Sequence, residues 1–354
     1  MEALTVADYE RLAEEKLDPA VFGYFAGGAG EERTLRGNAV AWSRWVLRPR
    51  VLLDVGEVST ATTVLETEVS MPVLLAPVAF QRLAHAEGEA GTARAAAKAG
   101  TIMCLSTLAN ASPAEIAAAA PPAPRWFQLY WYRDEGVTRS LVEQAVASGF
   151  QALVLTADAP VVAKRERDLR SGFAISPNVP VPSLEAVLGA PAAGKPTELF
   201  ALVSPSVSWR DLDRLASDVG LPVILKGVLT AEDARLAADH GAAAVVVSNH
   251  GGRQLDGAAA SVDALPEVVD EVGDELEVLV DGGIRRGSDV AVALALGARA
   301  VLVGRAFLWA LAARGEQGVV HVLELLHEEL AVTLALLGCA SPAALTRSHV
   351  ARPV

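Results

Sequence analysis

Only two cysteines occur in the 354 residues. Cys104 and Cys339 make neither a paired metal motif nor a disulfide framework. Both sit among apolar neighbours as small core fillers do, which fits a reducing cytoplasm and leaves no metal site expected. Basic residues are short as well: 30 Lys and Arg stand against 43 Asp and Glu, a net charge of −13. That balance opposes binding to nucleic-acid phosphates or to anionic lipid. No run approaches about eighteen consecutive apolar residues free of Gly, Pro or charge, so no membrane span is expected. The opening MEALTVADYERLAEEK lacks the basic start, apolar middle and small-residue cleavage site of a secretory signal, and reads as a helix.

What the chain has in quantity is apolar residues, 52% against 21% charged, enough for a large core. From residue 72 onward, short and often β-branched apolar runs alternate with alanine-rich helical stretches, as when parallel strands are covered by crossover helices. Eight such runs stand out: Pro72 to Ala76, Thr101 to Leu105, Trp126 to Tyr130, Ala152 to Thr156, Pro222 to Lys226, Ala244 to Ser248, Glu277 to Asp281 and Ala300 to Val303. Most are separated by the length of one loop, helix and loop. The pattern predicts an α/β fold, a (β/α)8 TIM barrel, as one domain over 1–354: an N-terminal helical cap at 1–71, the barrel at 72–310 and C-terminal helices at 311–354. One interval breaks the rhythm. From Val161 to Leu221, Pro177, Pro180, Pro182, Pro191, Pro196 and Pro205 interrupt a stretch with little sustained periodicity. It reads as a long lid loop after the fourth strand, centred on about residues 171–210.

In such a barrel the residues at the C-terminal strand ends converge on one face, whatever their separation in sequence. Nearly every predicted end carries useful chemistry: Val78 and Ala79, Ser106, Gln128 and Tyr130, Thr156 and Asp158, Lys226, Ser248 and His250, Asp281 and Gly283, Gly304 and Arg305. In Ser248-Asn249-His250-Gly251-Gly252-Arg253, an imidazole suited to proton removal lies three residues from a guanidinium suited to gripping a carboxylate. Together they suit a hydroxy acid. Asp158 would favour and orient the protonated imidazole. His85, His240, His321, His327 and His349 lack such a setting and read as structural. Arg165, within Lys164-Arg165-Glu166-Arg167-Asp168, reads on its own as part of a solvated charge run. Lys226 needs an anionic or polar partner at an apolar barrel mouth. The Asp281-Gly282-Gly283-Ile284-Arg285 and Gly304-Arg305 segments suit phosphate, because glycine admits close approach and barrels often bind phosphate after the last strands. GGAGEERTLRG follows no buried strand and is not a dinucleotide fingerprint.

Over nearly its whole length the chain resembles the FMN-dependent α-hydroxy acid oxidases and dehydrogenases, a family that includes glycolate-, lactate- and mandelate-oxidising enzymes. The carriers are VFGYFAGGAG with Tyr24, APVAFQRLAHAEGE, WFQLYWYRD, LTADAP, KGV, SNHGGRQLDG, VDGGIRRGSDV and LVGR. The resemblance implies FMN as cofactor, His250 as active-site base and Asp158 as its partner. It implies a substrate clamp of Tyr24, Tyr130, Arg165 and Arg253, which overturns the solvated reading of Arg165. It places Lys226 at the flavin N1 and O2 edge, the Val78 and Ala79 backbone at N5, and Ser106, Gln128, Thr156 and Ser248 along the ring and ribityl chain. Asp281, Gly283, Arg285, Gly304 and Arg305 would hold the ribityl and phosphate end.

The activity implied is oxidation of an L-2-hydroxy acid to the 2-keto acid, with O2 reoxidising the flavin and releasing hydrogen peroxide. The alternatives are a dehydrogenase passing electrons to a quinone or a protein, and a flavin-binding sensor without turnover. Val78 and Phe80 stand where short-chain oxidases often have threonine and methionine, and Leu108 stands where plant-type glycolate oxidases have tryptophan. Phe80-Gln81-Arg82-Leu83 with Tyr130-Trp131 looks more like bacterial mandelate and 4-hydroxymandelate oxidases, which implies a roomier or aromatic pocket; mandelate-like acids are the expected substrates, with medium-chain acids or lactate as the alternative. The family implies a homotetramer. The C-terminal Ala351-Arg352-Pro353-Val354 is not a peroxisomal tripeptide, and a cytoplasmic location is expected.

Overall fold

Eight parallel strands hydrogen-bond in sequence order and the last closes on the first, which makes a (β/α)8 barrel. They are β1 (Val73–Leu75), β2 (Met103–Leu105), β3 (Arg125–Leu129), β4 (Ala152–Thr156), β5 (Val223–Val228), β6 (Ala244–Val247), β7 (Glu277–Asp281) and β8 (Ala300–Val303). The computed structural model describes residues 3–176, 178–192 and 196–353; the N-terminal pair, the lid proline Pro177, residues 193–195 and Val354 lie outside the described residues. Along each strand, successive side chains alternate between two apolar layers. Leu74, Cys104, Trp126, Val154, Ile224 and Val246 are among those that fill the barrel interior. Leu75, Leu105, Phe127, Leu155, Leu225 and Val247 face outward against the helices. Each of these large side chains contributes about 1.5–3 kcal/mol by leaving water.

The two ends of the barrel are closed differently. At the N-terminal end the hairpin of Thr62–Val64 and Thr67–Val69 sends Val64 and Val69 into the interior layer, and the Leu65 N–H donates to Glu277 Oε2 at 2.9 Å. At the opposite end lie three cap helices. α1 (Val6–Lys16) starts at Thr5, whose hydroxyl accepts from the Asp8 N–H, and α2 (Pro19–Ala26) starts at Asp18, whose carboxylate accepts from the Ala20 N–H. α3 (Arg33–Trp42) lies on the loop after β6, and its Trp42 Nε1 donates to the Gly282 carbonyl at 2.9 Å. Among the described residues no helix is long and apolar enough to cross a membrane. The longest, Arg305–Leu337, breaks its helical dihedrals at Arg314 and Gly315.

The interval 161–221 carries more regular structure than its prolines predict. It holds helices at Glu166–Ser171, Pro182–Leu188 and Pro196–Phe200, and then Trp209–Asp218, the crossover helix that returns the chain to β5. Two of the prolines begin helices instead of interrupting them, because the first helical turn needs no donor from its N1 residue. The lid also has its own buried contacts: Ile175, Val181, Leu184 and Leu199 belong to the main core, and Tyr132 forms a bridge with Val203. The two cysteines are buried and unpaired.

Packing of the C-terminal helix on the barrel allows no side chain at Gly287. A Cβ there would run into the Leu330 amide nitrogen and lie 2.5 Å from the Glu329 carbonyl carbon, both backbone atoms. Gly287→Ala should therefore destabilise the protein by about 1–3 kcal/mol, read as a lower urea midpoint with an unchanged slope.

Candidate active site

The C-terminal strand ends open onto one cavity of about 1270 Å³, counted out to its open mouth. Of the residues assigned from the sequence to the base, the clamp and the cofactor, all but Asp158 and Ser248 line it; those two stand just behind the wall and hold residues that do, whereas Phe80 and Trp131, read from the sequence as bearing on the substrate, are not part of the lining. Arg165, solvated on a reading of its own segment, is buried here.

An imidazole–carboxylate pair joins the β4 and β6 loops. His250 Nδ1 lies 2.8 Å from Asp158 Oδ1. Burial pushes the imidazole below its ordinary pKa while Asp158 opposes the shift, so the ring is neutral at neutral pH. Burial works against the Asp158 carboxylate as well, but His250 and Lys226 outweigh it and hold it below the usual carboxylate range. Ionised Asp158 accepts from Nδ1–H, which leaves Nε2 with the lone pair. Two backbone devices make this approach possible. At the bulge between Lys226 and Val228, Gly227 adopts φ +112°, and a Cβ there would lie 2.6 Å from Asp158 Cβ. His250 itself sits at φ +59°, a strained conformation for a side chain with a Cβ. It is held by its N–H on Ser248 Oγ at 3.0 Å and by Asn249 Oδ1, which accepts from the Gly252 N–H at 3.1 Å.

Cations surround this pair. Lys226 Nζ donates to Ser248 Oγ at 2.9 Å and lies 3.1 Å from Asp281 Oδ2; burial depresses the ammonium, but Asp281 and Asp158 more than reverse that and keep it charged. Arg253 reaches the carbonyls of Tyr24 and Gly27 at 2.7 and 2.8 Å, with its guanidinium 5.1 Å from the centre of the Tyr24 ring. Arg305 donates to the carbonyls of Phe25, Gly251 and Gly27 at 2.9 Å each. Burial and neighbouring guanidinium groups push Arg253 down to about 10 and Arg305 down to about 9. Arg285 pairs with Glu10 of α1 at 2.7 Å. Burial pushes the phenol of Tyr130 upward, so it stays a proton donor.

A polar ladder runs along the opposite wall: Ser106 Oγ donates to Gln128 Oε1 at 3.3 Å, and Gln128 Nε2 donates to Thr156 Oγ1 at 3.1 Å. Gly283 has a different reason to be glycine than approach to a phosphate, since a Cβ there would strike the Asn38 carbonyl of α3. Sequence reasoning also missed wall residues supplied by the cap and the lid, namely Phe25, Leu35, Asn38 and Phe200. None of them carries a chemical group that marks a site in sequence, although Phe25 lies within VFGYFAGGAG, and packing brings them to the wall.

The residues present fit FMN. Buried cations crowd one another at the mouth with few carboxylates to match, a setting that favours an anion. Asp281 Oδ1 and Arg165 Nε are buried polar atoms with no hydrogen-bond partner among the described residues, an acceptor and a donor ready for a ligand. The ladder adds side-chain donors and acceptors suited to a polar heterocycle and its polyol chain.

Comparison with known proteins agrees with this geometry. Residues 13–352 match the FMN-dependent dehydrogenase family. An L-lactate oxidase from Nostoc sp. is 49% identical over 95% of this chain and 94% of its own. The glycolate oxidase of Spinacia oleracea is 45% identical over 99% and 96%. The crystal structure of a mandelate oxidase with (S)-4-hydroxymandelic acid superposes with a TM-score of 0.95 at 43% identity, covering 99% of this chain and all of that one. A cavity lined by cations and a polar ladder, a neutral imidazole beside a carboxylate and relatives aligned nearly end to end lead to one conclusion: this chain belongs to the FMN-dependent dehydrogenase family.

Proposed function

We propose that the protein oxidises an L-2-hydroxy acid to the 2-keto acid, with FMN as cofactor and O2 as the final acceptor. The observation that carries this reading is His250, backed by Asp158, in the same cavity as Arg165 and Arg253. One group removes a proton and the other two hold a carboxylate. When bound, FMN supplies the acceptor for the two electrons that leave the substrate and returns them to O2, giving hydrogen peroxide.

The chain's own residues do the rest. Arg165 and Arg253 bind the substrate carboxylate through charged hydrogen bonds that fix the α-carbon in place. Tyr24 and Tyr130 contact the carboxylate or the hydroxyl; Tyr130 remains protonated and donates. His250 Nε2 takes the substrate proton, and Asp158 stabilises the imidazolium that forms. Lys226 would hold the pyrimidine edge of the flavin, where its charge offsets negative charge on the reduced ring. Val78, Ala79, Ser106, Gln128 and Thr156 would hold the ring and ribityl chain, with Ser248 aligning Lys226 and His250 from behind. Asp281, Gly283, Arg285, Gly304 and Arg305 would hold the ribityl and phosphate end.

The apolar side of the chamber suits a bulky substituent: Val78, Ala79, Leu108 and Phe200 line it, and Phe173 stacks on Tyr24 at 4.4 Å between ring centres. We read the chain as one domain that works in the cytoplasm as a homotetramer. Sedimentation equilibrium of the purified protein checks the assembly, and a monomer would sink that part of the reading.

Anaerobic mixing of the yellow protein with glycolate, lactate and mandelate tests the function directly. Mandelate should bleach the flavin at least as fast as glycolate, and oxygen should be consumed when air is readmitted. His250→Ala should keep its colour and lose about 10²–10⁴-fold in reduction rate. Arg253→Ala should chiefly weaken acid binding, by about tenfold to a hundredfold. Reduction by His250→Ala at the wild-type rate would remove the base.

The pH dependence follows from the direction of the His250 shift. The base is lost as pH falls through a value below the ordinary imidazole pKa, so kcat/KM should fall on an acid limb centred lower than an exposed histidine would give. Because Asp158 raises the imidazole pKa, Asp158→Asn should move that limb to still lower pH and reduce the plateau rate. A limb shifted upward in this variant contradicts the pairing.

A further inference from the structure

Beneath the first two strand-end loops lies a buried polar cluster that the proposed chemistry leaves unused. Glu89, in the first turn of the helix Gly88–Lys98, is completely buried, and its Oε1 accepts from two backbone amides, Gln81 N and Asn110 N, each at 3.0 Å. Its Oε2 has no hydrogen-bond partner among the described residues. The two amides belong to different loops, one after β1 and one after β2.

Each bonded residue reaches further. Gln81 donates from Nε2 to the Val78 carbonyl at 3.2 Å, and its Oε1 accepts from Thr92 Oγ1 at 2.6 Å. Val78 lines the cavity. Asn110 accepts the Arg82 N–H on Oδ1 at 2.9 Å and donates from Nδ2 to the Pro180 carbonyl of the lid at 2.8 Å. Between Val78 and Gln81 the chain passes through Phe80 at φ +58°, a conformation costly for a bulky side chain. Such strain persists only where the surroundings over-determine it. Here the residues that follow Phe80 are tied down by Glu89 and Asn110.

A buried carboxyl with one idle oxygen is a poor choice for stability alone, since an ionised group would be heavily penalised. Burial drives this one toward its neutral form. Gln81, Thr92 and Asn110 are themselves almost fully buried, so the cluster is rigid and cannot exchange partners with water.

We infer that Glu89 is a positioning residue of the reaction: through Gln81 it sets the Val78 backbone that faces the bound cofactor, and through Asn110 it fastens the lid to the same loop. The inference rests on the reading of this cavity as the flavin and hydroxy acid site. Glu89 touches neither substrate nor cofactor. Its effect is geometric, and misplacement of a reacting group by about 1 Å is enough to cost about a hundredfold in rate.

The test uses the flavin-loaded protein with Glu89→Gln, Glu89→Leu and Gln81→Met. Glu89→Gln keeps an oxygen for both amides and should stay close to wild type in every measurement. Glu89→Leu should reduce its flavin about tenfold to a hundredfold more slowly at saturating hydroxy acid. It should also shift the visible flavin band, and hydrogen exchange read by mass spectrometry should rise in peptides covering 78–84 and 106–112 but not in β5 to β7. Gln81→Met, which loses only the Val78 and Thr92 bonds, should slow reduction with wild-type exchange at 106–112, and it carries the test if Glu89→Leu does not fold. Wild-type reduction rates and spectra in Glu89→Leu and Gln81→Met overturn the inference, even if their melting temperatures fall. His250→Ala run in parallel separates the two readings. If it too reduces normally, the reading of the site has failed; if it is dead while the Glu89 variants are normal, only the positioning role has.

Discussion

A single hydrogen bond, His250 Nδ1 to Asp158 Oδ1, connects positions 92 residues apart, and the organisation of the active face depends on it. The bond decides which ring nitrogen carries the lone pair, supplies the counter-charge for an imidazolium, and aims that nitrogen into the cavity instead of along its wall. For it to form, the β4 loop must lie against β5 at the one point where β5 bulges and has no side chain, at Gly227. The β6 loop must also hold a histidine in a left-handed turn.

The same logic governs the charges. Lys226, Arg165, Arg253 and Arg305 are cations in a place where water is scarce, and each would be costly without partners. Lys226 is matched by Asp281 and Asp158. The two strand-end arginines, Arg253 and Arg305, are held mostly by carbonyls of the α2 end and of the β6 loop, which orient a guanidinium without neutralising it. The mouth therefore keeps a net positive character that suits an anionic acid and a phosphate, although the molecule as a whole carries −13. Local placement overrules the global balance.

Much of the fold was legible because the barrel repeats its signal. Ala152–Thr156, Glu277–Asp281 and Ala300–Val303 are strands with the boundaries that their apolar runs predict. Others differ by one or two residues where a run continues into a turn; Thr101, for instance, donates its N–H back to Ala96 at the end of the preceding helix. The lid was less legible because proline is ambiguous. It breaks a helix from within but begins one at N1, and the prolines at 182 and 196 do the second. The crossover helix Trp209–Asp218 did carry a signal that went unread: Ser208 three residues before Asp211, whose carboxylate accepts the Ser208 N–H at 2.8 Å, ahead of Leu212 and Leu215 on the buried side.

What the sequence by itself determined is the set of chemical groups and the order in which they leave the strands, because a parallel barrel sends every C-terminal strand end to one face. Only the tertiary structure decided which of those groups touch. The family resemblance had put Asp158 beside His250 and brought Tyr24 and Arg165 into the clamp, but the distances that join them, the contribution of α3 to the cavity wall and the polar cluster around Glu89 depend on contacts between loops distant along the chain. A first-turn glutamate reads in sequence as a solvated helix end. It becomes a buried anchor only when two loops close over it, since periodicity reports the face a residue occupies on its own element and not what another element lays against that face.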